Sequence, residues 1–291
     1  MTKLNALIKL LRPHQYVKNL FIFLPLFFIG KLLNTTLLYD IFISVIAFSF
    51  ASSSIYILND SLDIEADKKH PDKRNRPLAA GLISKKVAFL VMGLLFLIST
   101  TLMGMLSLKA LYIMLIYVVL NIGYCFFLKH IPIIDITIIA IGFILRIYVG
   151  SYVANVPLST WIVMMTFLIA LFLAIAKRRD DVLHFMKTGT KMRKVVNGYN
   201  LKFIDSSMSV MSAVIIVTYL LYTSSSEVIE RLDNEYFFAT SIFVILGILR
   251  YMQITFVEEN SGSPTKILLK DKFIISTVVG WLLSFALIIY I

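Results

Sequence analysis

The stretch Asn59-Asp60-Ser61-Leu62-Asp63-Ile64-Glu65-Ala66-Asp67 places four acids within nine residues. On one continuous helix, Asp60, Asp63 and Asp67 fall at i, i+3 and i+7 and share a face, with Tyr56 and Asn59 on or beside it. Glu65 points away. Three carboxylates on one face repel one another unless a cation sits among them. Mg²⁺ is suited to that place, because it takes oxygen ligands from a few carboxylates and from substrate phosphates. A solvated acidic helix end is the plainer alternative. The position at a membrane surface, beside a run of basic residues, favours a binding site.

The basic run follows at once. Lys73 and Arg76 are placed to reach phosphate oxygens that a metal leaves exposed, and Pro71 and Pro77 limit helical continuation and shape the segment as a loop. Lys85 and Lys86 read as topogenic charges. A second polar stretch, Ala176-Lys177-Arg178-Arg179-Asp180-Asp181-Val182-Leu183-His184, stands at the inner end of another apolar run. Lys177 and Arg178 suit phosphate, and Asp180 or Asp181 suits a second cation; a salt-bridged helix end is the alternative. Asp135 and Arg146 lie inside one apolar run, where ionisable groups are costly and usually face a cavity or a partner. Both are expected to face a polar central cavity, Asp135 near its inner mouth. Arg250 is a similar but less informative case. Asn121 and Tyr124 line the same mouth or make ordinary interhelical hydrogen bonds. Lys18 is either a snorkelling anchor or a phosphate contact.

Membrane helices must position these groups. Apolar runs recur near 18–36, 40–58, 85–104, 108–127, 132–152, 158–176, 207–224, 236–257 and 273–291, each long enough for about 30 Å of hydrocarbon. The expected fold is therefore an all-α integral membrane bundle of nine transmembrane helices forming one domain over 1–291. Its active-site loops are expected at 59–84 and 177–205. Residues 1–17 suit an interfacial helix, since Leu4, Leu7, Ile8 and Leu11 recur at helical spacing. The connections alternate in charge. Through Lys18 there are four Lys or Arg and no acid, in 59–86 seven, and in 177–205 eight. The other side receives the acidic stretch Glu227 to Glu235. This asymmetry places the N-terminus in the cytoplasm of a cell's inner membrane and the C-terminus outside.

Composition agrees. The chain is 59% hydrophobic with a mean hydropathy of +0.86, well above soluble globular proteins. Its net charge of +11 sits between apolar spans, which points to anionic lipids or substrates and away from nucleic acid. The single cysteine, Cys125, excludes an internal disulfide. The N-terminal segment has no pattern of a cleaved signal. A magnesium-loaded mouth above an apolar bundle suits a reaction in which an amphiphile is joined and diphosphate departs.

The layout resembles the UbiA superfamily of intramembrane prenyltransferases, whose Asn-Asp-x-x-Asp-x-x-x-Asp signature residues 59–67 match in full. It is most similar to the branch that contains decaprenyl-phosphate phosphoribosyltransferase. The matching segments are Arg12-Pro13-His14-Gln15-Tyr16-Val17-Lys18-Asn19, His70 through Gly81, Leu128 through Asp135, and Gly142-Phe143-Ile144-Leu145-Arg146. The resemblance implies nine helices around a central cavity, Mg²⁺, phosphoribosyl pyrophosphate as donor and a polyprenyl phosphate as acceptor. It implies that Asp60, Asp63 and Asp67, with Asp180 as a further candidate, hold the metal, and that Lys73 and Arg76 neutralise diphosphate. It leaves Lys18, Asn59, Tyr124, Lys129, Asp135, Arg146, Lys177, Arg178 and Asp181 as candidates for substrate contact. The second loop departs from the superfamily's second Asp-rich motif. That departure weakens the alternative of prenyl transfer from a polyprenyl diphosphate to an aromatic acceptor such as 4-hydroxybenzoate. Transport of a phosphorylated lipid is the non-enzymatic alternative, disfavoured because a transporter has no evident need of a magnesium cage.

Overall fold

A computed structural model describes residues 3–69, 73–189 and 194–290. His70, Pro71 and Asp72 of the expected loop lie outside the described residues. The chain divides into two compact units, residues 1–129 with 141–158, and residues 130–140 with 159–291.

The first unit opens with α1 (Lys3–Leu11), a 3₁₀ segment (Pro13–Phe23) and the short α2 (Leu24–Phe28). The apolar run expected as a first span near 18–36 is thus not one long helix. Pro25 accounts for part of this, since it lacks the N–H that a continuing helix needs. Next come α3 (Thr35–Leu62), α4 (Ile64–Lys69), a 3₁₀ turn (Lys73–Asn75), α5 (Lys85–Leu106) and α6 (Leu108–Phe126). Asn34 caps α3 by accepting from the Leu37 N–H at 3.1 Å, and Ser107 ends α5 and caps α6. The buried face of α3 is rich in small residues, among them Ser44, Ala47, Ala51, Ser52 and Ser54. Such a face lets neighbouring backbones approach where lipid offers no hydrophobic drive for helix association.

The last helix of this unit, α7 (Ile134–Ala154), gives its first turns to the second unit and residues from Ile141 onward to the first. Gly150 on α7 permits a close approach: a Cβ there would run into the carbonyl of Ile22.

The second unit contains α8 (Thr160–Thr188), a 3₁₀ segment (Lys194–Gly198), α9 (Leu201–Thr223), α10 (Ser226–Leu232), a 3₁₀ segment (Glu235–Thr240), α11 (Ser241–Phe256), α12 (Pro264–Lys270) and α13 (Lys272–Tyr290). Its core joins Phe172, Ile175, Ile204, Met208, Ile215, Tyr251 and Ile274. Helix α8 runs twelve residues beyond the expected end at 176, so the stretch 177–181 lies on a helix and not in a loop. The apolar period gives way to charge at Lys177, but nothing in the next three turns breaks the backbone ladder.

Among the described residues, eight helical stretches are long and apolar enough to cross a membrane. The protein is an all-α, multi-pass membrane protein.

Candidate active site

Helix α3 ends at Leu62, and Asp63 occupies the bend before α4, with φ −96° and ψ 10°. Its N–H still bonds to the Asn59 carbonyl at 3.0 Å, and its own carbonyl accepts from the Asp67 N–H at 2.8 Å. The chain therefore turns without losing its backbone pairing, and the expected single helical face is split. Asp60 lies on α3, Asp67 on α4, and Asp63 between them.

Each carboxylate is met by a cation. Arg76 Nη1 lies 3.0 Å from Asp60 Oδ1 and 2.7 Å from Asp67 Oδ2, so one nitrogen bridges the two acids. Arg12 donates to the same Asp60 oxygen, with its guanidinium 5.2 Å from the centre of the Tyr56 ring. Lys129 Nζ reaches both oxygens of Asp63 at 2.9 and 3.1 Å and Asn59 Oδ1 at 3.4 Å. Asp60 and Asp67 are buried, while the Asp63 side chain remains 31% exposed. Burying carboxylates this far is costly unless they are paired, which explains three cations gathered on three acids.

The segment that delivers Arg76 is anchored locally. The carbonyl of Lys73 accepts from the Arg76 N–H at 2.9 Å, and the Arg76 carbonyl accepts from Ala80 at 2.8 Å. Leu78 is buried in a small core with Ile57, Ile64 and Ile83. Arg76 was expected on phosphate; here it rests on the aspartates. Lys73 is half-buried at the start of its turn.

Polar ties fasten the 3₁₀ segment Pro13–Phe23 along α3. Ser53 gives its hydrogen to the Leu11 carbonyl at 2.8 Å, so Tyr16, 2.9 Å away, is the donor to Ser53. Asn19 donates to Ser49 at 2.8 Å and accepts from Arg146 Nε at 2.8 Å. Ser49, Ser53, Tyr56 and Asp60 follow one face of α3. Arg12 itself has left-handed backbone angles, φ 55° and ψ 55°, where the chain turns out of α1. Lys18 is half-buried and makes no ion pair among the described residues.

Arg146 departs from the expectation of a group facing a polar cavity. It is buried, bonds to Asn19, the Gly142 carbonyl (2.6 Å) and Tyr117 (3.3 Å), and is enclosed by the rings of Phe48, Tyr117 and Phe143. Aromatic faces attract a cation, and the guanidinium is already supplied with acceptors. Its place is that of a tie between α7, α6 and the 3₁₀ segment. Tyr124 is half-buried on α6.

In the second unit, Asp135 departs likewise. It is fully buried, accepts from Arg178 Nε at 2.5 Å and from the Tyr199 hydroxyl at 2.6 Å. Arg178, only 1% exposed, also donates to Asp181 at 2.7 Å. The guanidinium is thus held on two carboxylates here and does not stand open to a phosphate. Tyr199 Oη in turn accepts from the Ile133 N–H at 2.7 Å. Ile133 has φ 68°, an uncommon value for a β-branched residue, and this bond holds it there. Burial, and then the hydrogen bond to Asp135, push the Tyr199 phenol above its ordinary range, so it stays a donor. Pro132 lies where a Cβ on Gly198 would have to go, which seats the 194–199 segment on this turn. Arg179 is tied to Asp205 at 2.8 Å and to the Thr255 carbonyl at 2.7 Å. Lys177 and Asp180 are half-buried, and the Asp180 carboxylate lies against Gly262.

Within the first unit, Asp60, Asp63 and Asp67 are not assembled as a cage. Among the described residues, no three acid, histidine or cysteine side chains stand together as metal ligands. The bend at Asp63 and the three intervening cations explain this. The donor chemistry nevertheless fits Mg²⁺: two carboxylate oxygens already converge on one positive centre, Arg76 Nη1, in an all-oxygen setting.

Arg12, Tyr16, Asn19 and Tyr199 were not singled out by residue type. Arg12, Tyr16 and Asn19 lie within a motif carried by the resemblance, which is the only sequence signal for them. Tyr199 has none.

A sequence model of the UbiA prenyltransferase family matches residues 20–277. A decaprenyl-phosphate phosphoribosyltransferase of Mycolicibacterium smegmatis is 31% identical, over 98% of this chain and 93% of that protein. One of Corynebacterium glutamicum is 29% identical, over 99% of this chain and 87% of that protein. A solved UbiA homologue from Archaeoglobus fulgidus, bound to GPP and Mg²⁺, superposes with a TM-score of 0.71 at 20% identity, covering 98% of this chain and 99% of that one.

Proposed function

Given that the chain belongs to the UbiA prenyltransferase family, we propose that it transfers 5-phosphoribose from phosphoribosyl pyrophosphate to a polyprenyl phosphate, with release of diphosphate. The observation that carries this reading is the meeting of Asp60 and Asp67 on one nitrogen of Arg76, with Lys129 on Asp63 beside them. Such a cluster suits a ligand that brings both a divalent cation and a diphosphate. The nature of the M. smegmatis and C. glutamicum relatives, alike over nearly the whole chain, supports the choice of donor and acceptor.

Asp60, Asp63 and Asp67 would hold Mg²⁺. When bound, it neutralises charge on the diphosphate and makes it a better leaving group. Arg76, Lys129 and Arg12 then exchange carboxylate partners for phosphate oxygens, and Lys73 adds a further charge. Arg suits this exchange, since its planar fork matches either oxyanion. An oxygen of the lipid phosphate bonds to the anomeric carbon of the ribose as the carbon–oxygen bond to diphosphate breaks. The electron pair leaves with the diphosphate. Lys18, half-buried and without an acid partner among the described residues, would take a phosphate of donor or acceptor.

We read the chain as one functional domain, because the family match runs through both units. We further read Pro13–Phe28 and its continuation as a ninth, irregular span. The charge asymmetry then places the N-terminus and this site on the cytoplasmic side of the inner membrane.

Purified protein with Mg²⁺, radiolabelled phosphoribosyl pyrophosphate and polyprenyl phosphate should yield lipid-linked label and diphosphate in equal amounts. Absence of both products refutes the reading. Product in a parallel reaction with polyprenyl diphosphate and 4-hydroxybenzoate would replace it with prenyl transfer.

A further inference from the structure

We propose that the cavity between the end of α11 and the start of α13 binds an anionic phospholipid of the surrounding membrane. The cavity measures about 640 Å³ and is lined wholly by residues of the second unit.

Its frame is rigid. Arg250 on α11 donates to Asp271 at 2.8 Å, to Gln253 at 2.7 Å and to Glu258 at 2.8 Å. Asp271 also caps α13 by accepting from the Ile274 N–H at 2.9 Å. One arginine thus ties the last turns of one membrane helix to the cap of another. Its charge is matched by these acids.

The binding charge comes from Lys270 and Lys272, which flank Asp271 at the cavity rim. Both are exposed, and neither makes an ion pair among the described residues. Lys272 is the first residue of α13, where the helix dipole disfavours a cation. Asp271 caps this helix and is already paired with Arg250, so the two lysines keep a positive charge that a further anion can meet. The rest of the lining is largely apolar: Leu246, Leu249 and Phe273 line the cavity and are exposed on their helices. Helix α13, and α11 together with the 3₁₀ segment before it, are each long and apolar enough to cross the membrane. Charged rim and apolar wall therefore meet where a membrane helix ends and another begins. A free phosphate would use only the lysines. A phospholipid uses both features, its phosphodiester on the lysines and an acyl chain along the leucines.

The test is native mass spectrometry of the full chain in mild detergent, titrated with phosphatidylglycerol or with phosphatidylcholine. The wild type is expected to retain phosphatidylglycerol in preference. Lys270→Ala with Lys272→Ala should weaken that retention by about tenfold or more, since each basic residue near an anionic lipid contributes on the order of 1 kcal/mol. Leu249→Trp, which fills the apolar wall and leaves both lysines, should weaken it too. Lys85→Ala with Lys86→Ala, a basic pair elsewhere, should leave it unchanged. Equal retention of the two lipids by the wild type overturns the proposal. So does undiminished phosphatidylglycerol binding in the Lys270/Lys272 variant. Should that variant fail to keep the wild-type melting temperature, the Leu249→Trp result decides. If Leu249→Trp binds as the wild type while inorganic phosphate displaces the lipid, the site is one for free phosphate and the proposal falls.

Discussion

Lys129 closes on both carboxylate oxygens of Asp63, at 2.9 and 3.1 Å, across 66 residues of chain. The pair joins the short turn after α6 to the bend after α3. It leaves the Asp63 side chain the most open of the three aspartates and its neighbour Asn59 within reach of the same ammonium.

Lys129→Ala should lower kcat/KM for phosphoribosyl pyrophosphate by about 10²-fold or more, as expected when a charge on the departing group is removed. Lys129→Arg should restore part of it. Steady-state kinetics at saturating polyprenyl phosphate measure this. Wild-type kinetics in Lys129→Ala would remove the residue from the site.

Metal dependence should appear in binding as well as turnover. Mg²⁺ with phosphoribosyl pyrophosphate is expected to raise the melting temperature of the wild type, and EDTA to cancel the rise. Asp60→Asn should lose both the rise and the activity while still folding, with an unliganded melting temperature at or somewhat below that of the wild type, because the isostere keeps the shape but removes the charge that Arg12 and Arg76 meet. Differential scanning fluorimetry reads the first effect and the diphosphate assay the second.

In the second unit, Arg178→Ala should cost about 3–5 kcal/mol of stability, since it leaves Asp135 buried and unpaired. Asp135→Asn combined with Arg178→Met should recover much of this. A double-mutant cycle on melting or denaturant midpoints in detergent gives the coupling. Additive losses would mean that the pair contributes nothing as a pair.

Gly150→Val should destabilise the first unit by about 1–3 kcal/mol or more, because its side chain needs the space held by the Ile22 carbonyl. Gly93→Ala on α5, where a Cβ meets nothing within 4 Å, is the control and should be neutral or slightly stabilising.

The aspartates of the site were legible because their spacing is local. Asp60, Asp63 and Asp67 needed only the helical period to be grouped. The bend at Asp63 was not legible, since neither proline nor glycine marks it and the pattern of side chains runs on through α4. Arg76 was found from its place after the acids, but its resting partners follow from a loop anchored by Leu78. Asp135, Arg146 and Arg178 stood out as charges in or beside apolar runs. What surrounds them comes from Tyr199, Asn19 and Tyr117, which lie 64, 127 and 29 residues from their partners. No period or spacing connects residues so far apart. The length of α8 was missed because hydropathy marks where a membrane helix leaves lipid, whereas a backbone ladder ends only at a breaker.

The left-handed Arg12 both turns the chain out of α1 and delivers its guanidinium to Asp60. The corner that ends the N-terminal helix is therefore tied directly to the aspartate cluster. Shortening the protein past that corner, or fusing a bulky partner close before it, should behave like a point mutation of the aspartate motif. Expression designs that keep the corner and attach handles at the other terminus avoid that interference.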